Sequence, residues 1–368
     1  MKILFVNPIL YTSETKKIKK RNSIQDTMSF GLCKAFANNG YDITLYACSS
    51  YEPLDKQKEY PFNIIFEKPT FSFLFPANVI PRLPKLKHFL KNNSFDLIIC
   101  SEAFSLTTYT CVKQCPEKTI VWQEMAAYQH AFHQLPAKFW YKHIVKRKYK
   151  NVKIVARSQK AKDFISQFSN NVSDIIIDHG VELKEFSASR EKKKQLIVIS
   201  QLIPRKRIDR TINSFIEFCN KYDSSFKLII IGDGVSRQEL EKQAKESSFS
   251  SNIVFKGFLS HQQMMDDLSH SMAMLVSTER DENMITIDES LACCTPIITT
   301  SVPFTSSYIK ENGLGYVDDN WSASTLEDCV SNNAILVDNC LKERPKLDYS
   351  YKISQFLKVS SLNNFESK

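Results

Sequence analysis

A chain of 368 residues, 43% hydrophobic and 24% charged, is long enough for two globular domains and too apolar to be disordered. No stretch approaches the ~18 consecutive apolar residues of a membrane span, and MKILFVNP at the start reads as a first strand rather than a secretory leader. The net charge is +9, and ten cysteines at irregular spacings, none in a CxxC pair, predict reduced structural thiols in a cytoplasmic protein.

The predicted elements alternate. Lys2–Asn7 is a nearly continuous apolar run, as in a parallel strand covered on both faces. A helix is expected over Ile24–Asn39, stopped by Gly40 at its C-terminal cap, then a strand over Tyr41–Cys48. Further strands are expected at Phe62–Phe66, Leu97–Cys100, Thr119–Trp122, Ile154–Ala156 and Asp174–Ile177. The alternation restarts after the polar link Ser187–Lys194, with strands at Leu196–Ser200, Phe226–Gly232, Asn252–Lys256 and Met272–Ser277. The pattern predicts an α/β protein with two doubly wound domains: 1–187 and 188–348, with a terminal helix from Tyr349 that returns to the first.

The positive charge is clustered. Lys16–Arg21 holds five cations in six residues, and Lys138–Lys153 holds seven Lys or Arg, four aromatics and no acid. On a helix, Phe139, Trp140, Ile144 and Val145 fall on one side. Two readings stay open: a helix lying on an anionic membrane surface, or a core helix whose lysines are solvated. No nucleic-acid motif accompanies either run.

The most informative stretch is Ser277–Thr300. It reads as a strand end, an acidic loop, a helix from about Thr286, a stop at Thr295-Pro296 and a β-branched strand. Asp281 and Glu289 stand eight positions apart, on the loop and one turn into the helix. Two carboxylates flanking a helix N-terminus suit a ligand that carries both hydroxyls and phosphate. Asp318-Asp319 lies in a polar loop and makes no convincing metal pair, and no metal site is expected.

The run Glu289-Ser290-Leu291-Ala292-Cys293-Cys294-Thr295-Pro296-Ile297-Ile298 resembles the E-x7-E signature of family 4 glycosyltransferases, retaining enzymes of the GT-B fold. Departures are Asp281 for the first acid, with Glu282 beside it, Met284 where the loop has glycine, and Cys294 in place of another glycine, so that backbone lacks the freedom of φ > 0. Other segments resemble the family in the same order: Asp178–Phe186, Gln201–Asp209, Ile231–Gly234, Ile253–His261 and the helix Tyr349–Lys358.

The resemblance implies two Rossmann-like domains facing a central cleft and a metal-independent transfer from a UDP- or GDP-sugar, with no other cofactor. Lys206 matches the family's diphosphate lysine. Gln201 stands at the arginine position, where Arg205 or Arg207 would compensate. Glu289 would hold ribose hydroxyls, Asp281 or Glu282 the donor sugar, and the amides around Met284, Ile285 and Thr286 the phosphate. Acceptor-side positions fall on Gln123, Glu124 and His130, while the family's glycine pair falls on Ser23-Ile24. The acceptor implied is a saccharide in lipid-linked form, and the location cytoplasmic, at the inner face of the plasma membrane. The alternative is a degenerate member that binds nucleotide sugar or a protein partner without turnover.

Overall fold

The computed structural model describes residues 1–11, 18–129, 131–280 and 284–366. The chain divides into two compact units: residues 1–180 with 349–368, and residues 181–348. The boundary lies before Val181 because Val181 and Phe186 are buried in the second unit's core, so 181–187 pack with that unit.

The first unit is a six-stranded parallel sheet. Its strands are β1 (Lys2–Val6), β2 (Asp42–Cys48), β3 (Asn63–Glu67), β4 (Leu97–Ser101), β5 (Thr119–Gln123) and β6 (Lys153–Ala156), in the order β3-β2-β1-β4-β5-β6. Buried runs such as Ile3, Leu4, Phe5 and Val6 explain why these segments pair on both edges and pack on both faces. The second unit repeats the plan with β7 (Gln195–Ile199), β8 (Lys227–Ile231), β9 (Ile253–Gly257), β10 (Ala273–Val276), β11 (Ile297–Thr299) and β12 (Gly315–Val317), ordered β12-β11-β10-β7-β8-β9. In each sheet the strand order reverses once, beside β1 and β4 and beside β7 and β10. In such sheets ligands bind outside the carboxyl ends of the strands at that reversal.

Three expectations change. The first helix spans Met28–Asn38, because Thr27 caps it by accepting the Phe30 N–H and Ile24–Thr27 closes a turn ahead of it. Asp174–Ile177 joins no sheet; only Val172 bridges to Ile154 on the edge strand. The basic run is not one uniform helix. It passes from Leu135–Phe139 through a π-helical segment, Trp140–Val145, to Lys146–Lys148. Ala137, Tyr141, Val145 and Tyr149 are buried, while Phe139 is 62% exposed. Trp140 turns to the core: its Nε1–H donates to the Ala103 carbonyl at 2.8 Å, and its ring meets Phe104 and Tyr109 edge-on. It is therefore not a membrane-inserting side chain.

The terminal helix Tyr349–Glu366 packs within the first unit, with Ile353, Phe356 and Val359 buried and Phe356 edge-on to Trp122 at 5.2 Å. Among the described residues no helix is long and apolar enough to cross a membrane.

Candidate active site

The two segments that leave the second sheet at its reversal carry most of the predicted donor-site residues. After β7 the chain runs through Gln201, which is exposed, into a short 3-10 turn, Pro204–Lys206. Lys206 is only 7% exposed, uncommon for a lysine outside a site that engages its charge. Arg207 follows with φ +51 and starts the helix Ile208–Lys221.

After β10 come buried Ser277 and Thr278, then Glu279. This second segment is fastened to the first. The Glu279 N–H donates to the Arg205 carbonyl at 3.0 Å, and the Arg207 guanidinium donates to Glu279 at 2.6 Å and to both oxygens of Asp209. Arg207 is thus neutralised by two carboxylates within the fold. Of the basic residues in this turn, Arg205 and Lys206 are the better candidates for diphosphate.

The turn after β8 presses on the same place. A Cβ on Gly232, which has φ +133, would lie 1.8 Å from the Ser200 carbonyl oxygen, and one on Gly234 would lie 2.3 Å from that of Leu202. Only glycine lets these backbones approach so closely.

Asp281 and Glu282 lie outside the described residues. Met284 is buried at the N-cap position of the helix Ile285–Ala292, and its own side chain makes no capping hydrogen bond. The amides of Ile285 and Thr286 lie in its first turn, where a helix offers N–H groups and positive dipole to an anion. One turn on, the Glu289 carboxylate is 14% exposed, and His261 Nε2 lies 3.2 Å from its Oε1. The hydrogen bond to Glu289 raises the His261 pKa above the ordinary histidine value, against the opposing effect of burial. Phe186 packs edge-on against that imidazole at 5.0 Å.

Cys294 adopts φ +57. The left-handed backbone is retained here by a cysteine, at a cost of about 1–2 kcal/mol relative to a glycine. The expectation that this backbone would do without φ > 0 is corrected accordingly.

In the first unit, Gln123 ends β5 fully buried. Its Oε1 accepts the Ala103 N–H and its Nε2 donates to the Met125 carbonyl and the Tyr141 hydroxyl, so it shapes the loop from within. Glu124 pairs with Arg157, a 5% exposed side chain whose guanidinium lies 3.7 Å over the Trp122 ring. His130 lies outside the described residues. Sequence reasoning missed Glu102, which follows β4 at the reversal with φ +65. Its carboxylate accepts the N–H groups of Glu124 and Met125, and burial, then repulsion from Glu124, pushes its pKa up to about 7. The one available signal was its position just past a strand end. Ser23 caps a turn through the Gln25 N–H, and Ile24 is buried.

Among the described residues no three His, Cys, Asp or Glu side chains cluster as a metal ion requires. Asp319 is committed to the N–H and hydroxyl of Ser301, and Asp318 to the N–H of Asn320.

Residues 181–332, nearly all of this second unit, match the family Glycosyl transferases group 1. The second unit belongs to that family. In sequence the chain is similar to alpha-monoglucosyldiacylglycerol synthase of Streptococcus pneumoniae, 21% identical over 236 residues, 58% of this chain and 53% of that protein. It is 27% identical over 134 residues to N-acetyl-alpha-D-glucosaminyl L-malate synthase of Bacillus anthracis, covering 36% of this chain and 34% of that one. The chain thus spans about half the length of the first relative and a third of the second. Anabaena HepE, solved in complex with UDP, has the same fold at 13% identity, with a TM-score of 0.68 over 98% of this chain and 100% of that one. The fold class is GT-B, as the motifs implied.

Proposed function

We propose that this protein is a retaining glycosyltransferase. It moves a sugar from a UDP- or GDP-sugar to a saccharide or lipid-linked acceptor, in the synthesis of a surface polysaccharide or glycolipid. One observation carries the reading: the Arg205–Lys206 turn and the segment leading to Glu289 leave adjacent strands at the sheet reversal and are fastened together through Glu279. A diphosphate cation and a ribose-binding carboxylate belong together at such a place.

In this reading Glu289 accepts ribose hydroxyls, and Lys206 with Arg205 and the amides of Met284, Ile285 and Thr286 meets the diphosphate. Gln201 donates a hydrogen bond without charge, and Asp281 or Glu282 contacts the sugar. The bond from the anomeric carbon to the diphosphate oxygen breaks, and a bond from that carbon to an acceptor oxygen forms on the same face. The acceptor proton passes to the departing diphosphate. Fixed cations and helix dipole offset the charge that develops there, so the chemistry asks for no metal ion. Glu124, with its Arg157 partner, is assigned to the acceptor. The names of the relatives support a glycolipid or saccharide product, and UDP bound to HepE supports a nucleotide donor.

A nucleotide-sugar binder without turnover is the second reading, favoured by exposed, uncharged Gln201 at the position of the expected arginine. The anomeric configuration of the product, followed by NMR from a donor of known configuration, tests the first: retention is expected, and inversion contradicts it.

A further inference from the structure

The run Lys138–Lys153 builds something more specific than a charged face. Lys142, Lys146, Arg147 and Lys150 line one cavity of about 810 Å³ in the first unit, together with His143. Its far wall is the segment after the helix Gln159–Ile165, where Gln167 and Asn170 supply amides. That wall is held in place because the Ile154 N–H of β6 donates to the Asn171 carbonyl at 2.9 Å and the Ser173 N–H returns to Ile154.

No carboxylate lines the cavity, and none of its four Lys and Arg side chains makes an ion pair among the described residues. Four like charges gathered around a concavity repel one another, and the field is focused where the walls are concave. A bound anion removes that cost. Amide and ammonium donors together fit phosphate oxygens.

The rim shows which phosphate. Phe139 packs against His143 in a tilted pair with ring centroids 4.7 Å apart, so an exposed aromatic is continuous with the cavity wall. One turn earlier Leu135 is 68% exposed. An apolar edge beside an anion pocket is the pattern of a surface that meets phosphate and acyl chain together.

We propose that this cavity is a headgroup site for an anionic phospholipid, with Leu135 and Phe139 entering the acyl boundary beside it. The basic run then docks the first unit on a membrane through a discrete pocket, whatever the donor site does.

Vesicle co-sedimentation of the full chain tests this. Phosphatidylcholine vesicles with phosphatidylglycerol should capture the protein, and pure phosphatidylcholine should not. The double substitution Lys146→Ala/Lys150→Ala should weaken capture by about 30-fold, two contacts of ~1 kcal/mol each. Lys138→Ala/Lys148→Ala removes the same charge from the same segment outside the cavity, and should weaken capture by less than about 3-fold. Phe139→Ser should leave low-salt capture largely intact and abolish the fraction that survives high salt, since apolar burial is not screened. Equal losses in the two double variants overturn the pocket in favour of a diffuse charged face. Absent capture, with inorganic phosphate shifting the His143 NMR signals, overturns it in favour of a soluble phosphate ligand. Absent capture without that shift overturns both.

Discussion

His261 Nε2 sits 3.2 Å from Glu289 Oε1, which joins the start of one helix to the residue expected to hold the donor's ribose. The contact uses one carboxylate oxygen and leaves the other for hydroxyls. Because the partner is a carboxylate, the imidazolium is favoured and the histidine pKa is raised. A raised folded-state pKa means that the pair stabilises the fold fully below the unfolded value near 6.5 and loses that contribution as pH rises through the folded value. Proton NMR should find His261 titrating above the ordinary value. In Glu289→Gln it should fall back, and an unchanged titration would show that the two side chains do not pair.

Glu289→Ala should weaken nucleotide binding by about 10-fold or more, the loss of charge-assisted hydrogen bonds to the ribose. Calorimetry with UDP and GDP checks this. A 2′,3′-dideoxyribose analogue should bind wild type and variant with nearly equal affinity, because both hydroxyl contacts are already gone.

Lys206→Ala should lower kcat by about 10²–10³ with folding unchanged, the size expected of one electrostatic contact made at the departing diphosphate. Steady-state kinetics beside a thermal melt separates this from unfolding. A wild-type kcat removes Lys206 from the diphosphate site.

Gly234→Ala places a methyl 2.3 Å from the Leu202 carbonyl oxygen, so the turn that carries Lys206 must shift. A loss of about 1–3 kcal/mol in stability is expected, with a larger donor KM. Denaturant unfolding and kinetics read the two effects independently.

Much of this was legible in the residues. Continuous apolar runs such as Ile3–Val6 and Leu228–Ile231 announce parallel strands because both faces of such sheets are covered. Thr295-Pro296 marks a helix end by chemistry alone. Long-range pairing was not legible: His261 and Glu289 meet only after the strands between them are stacked, and Arg207 looked as eligible as Arg205 until Asp209 and Glu279 closed on it. Of the two readings of the basic run, the core helix holds for Trp140. The expectation that Phe139 and Trp140 share one side fails because neighbours on a helix stand about 100° apart: Trp140 turns to the Ala103 carbonyl and Phe139 stays outside. Cys294 shows the limit of substitution arguments, since the left-handed backbone persisted without its glycine.

The central claim is turnover of a nucleotide sugar, and slow donor hydrolysis measures it without knowledge of the acceptor. The protein, incubated in excess EDTA with a panel of UDP- and GDP-sugars, should release UDP or GDP from at least one of them. The release should persist without Mg²⁺ or Mn²⁺ and fall by the same ~10²–10³ in Lys206→Ala. Tight nucleotide-sugar binding with no release from any donor, with or without added metal, would contradict the account and leave a binding protein in its place.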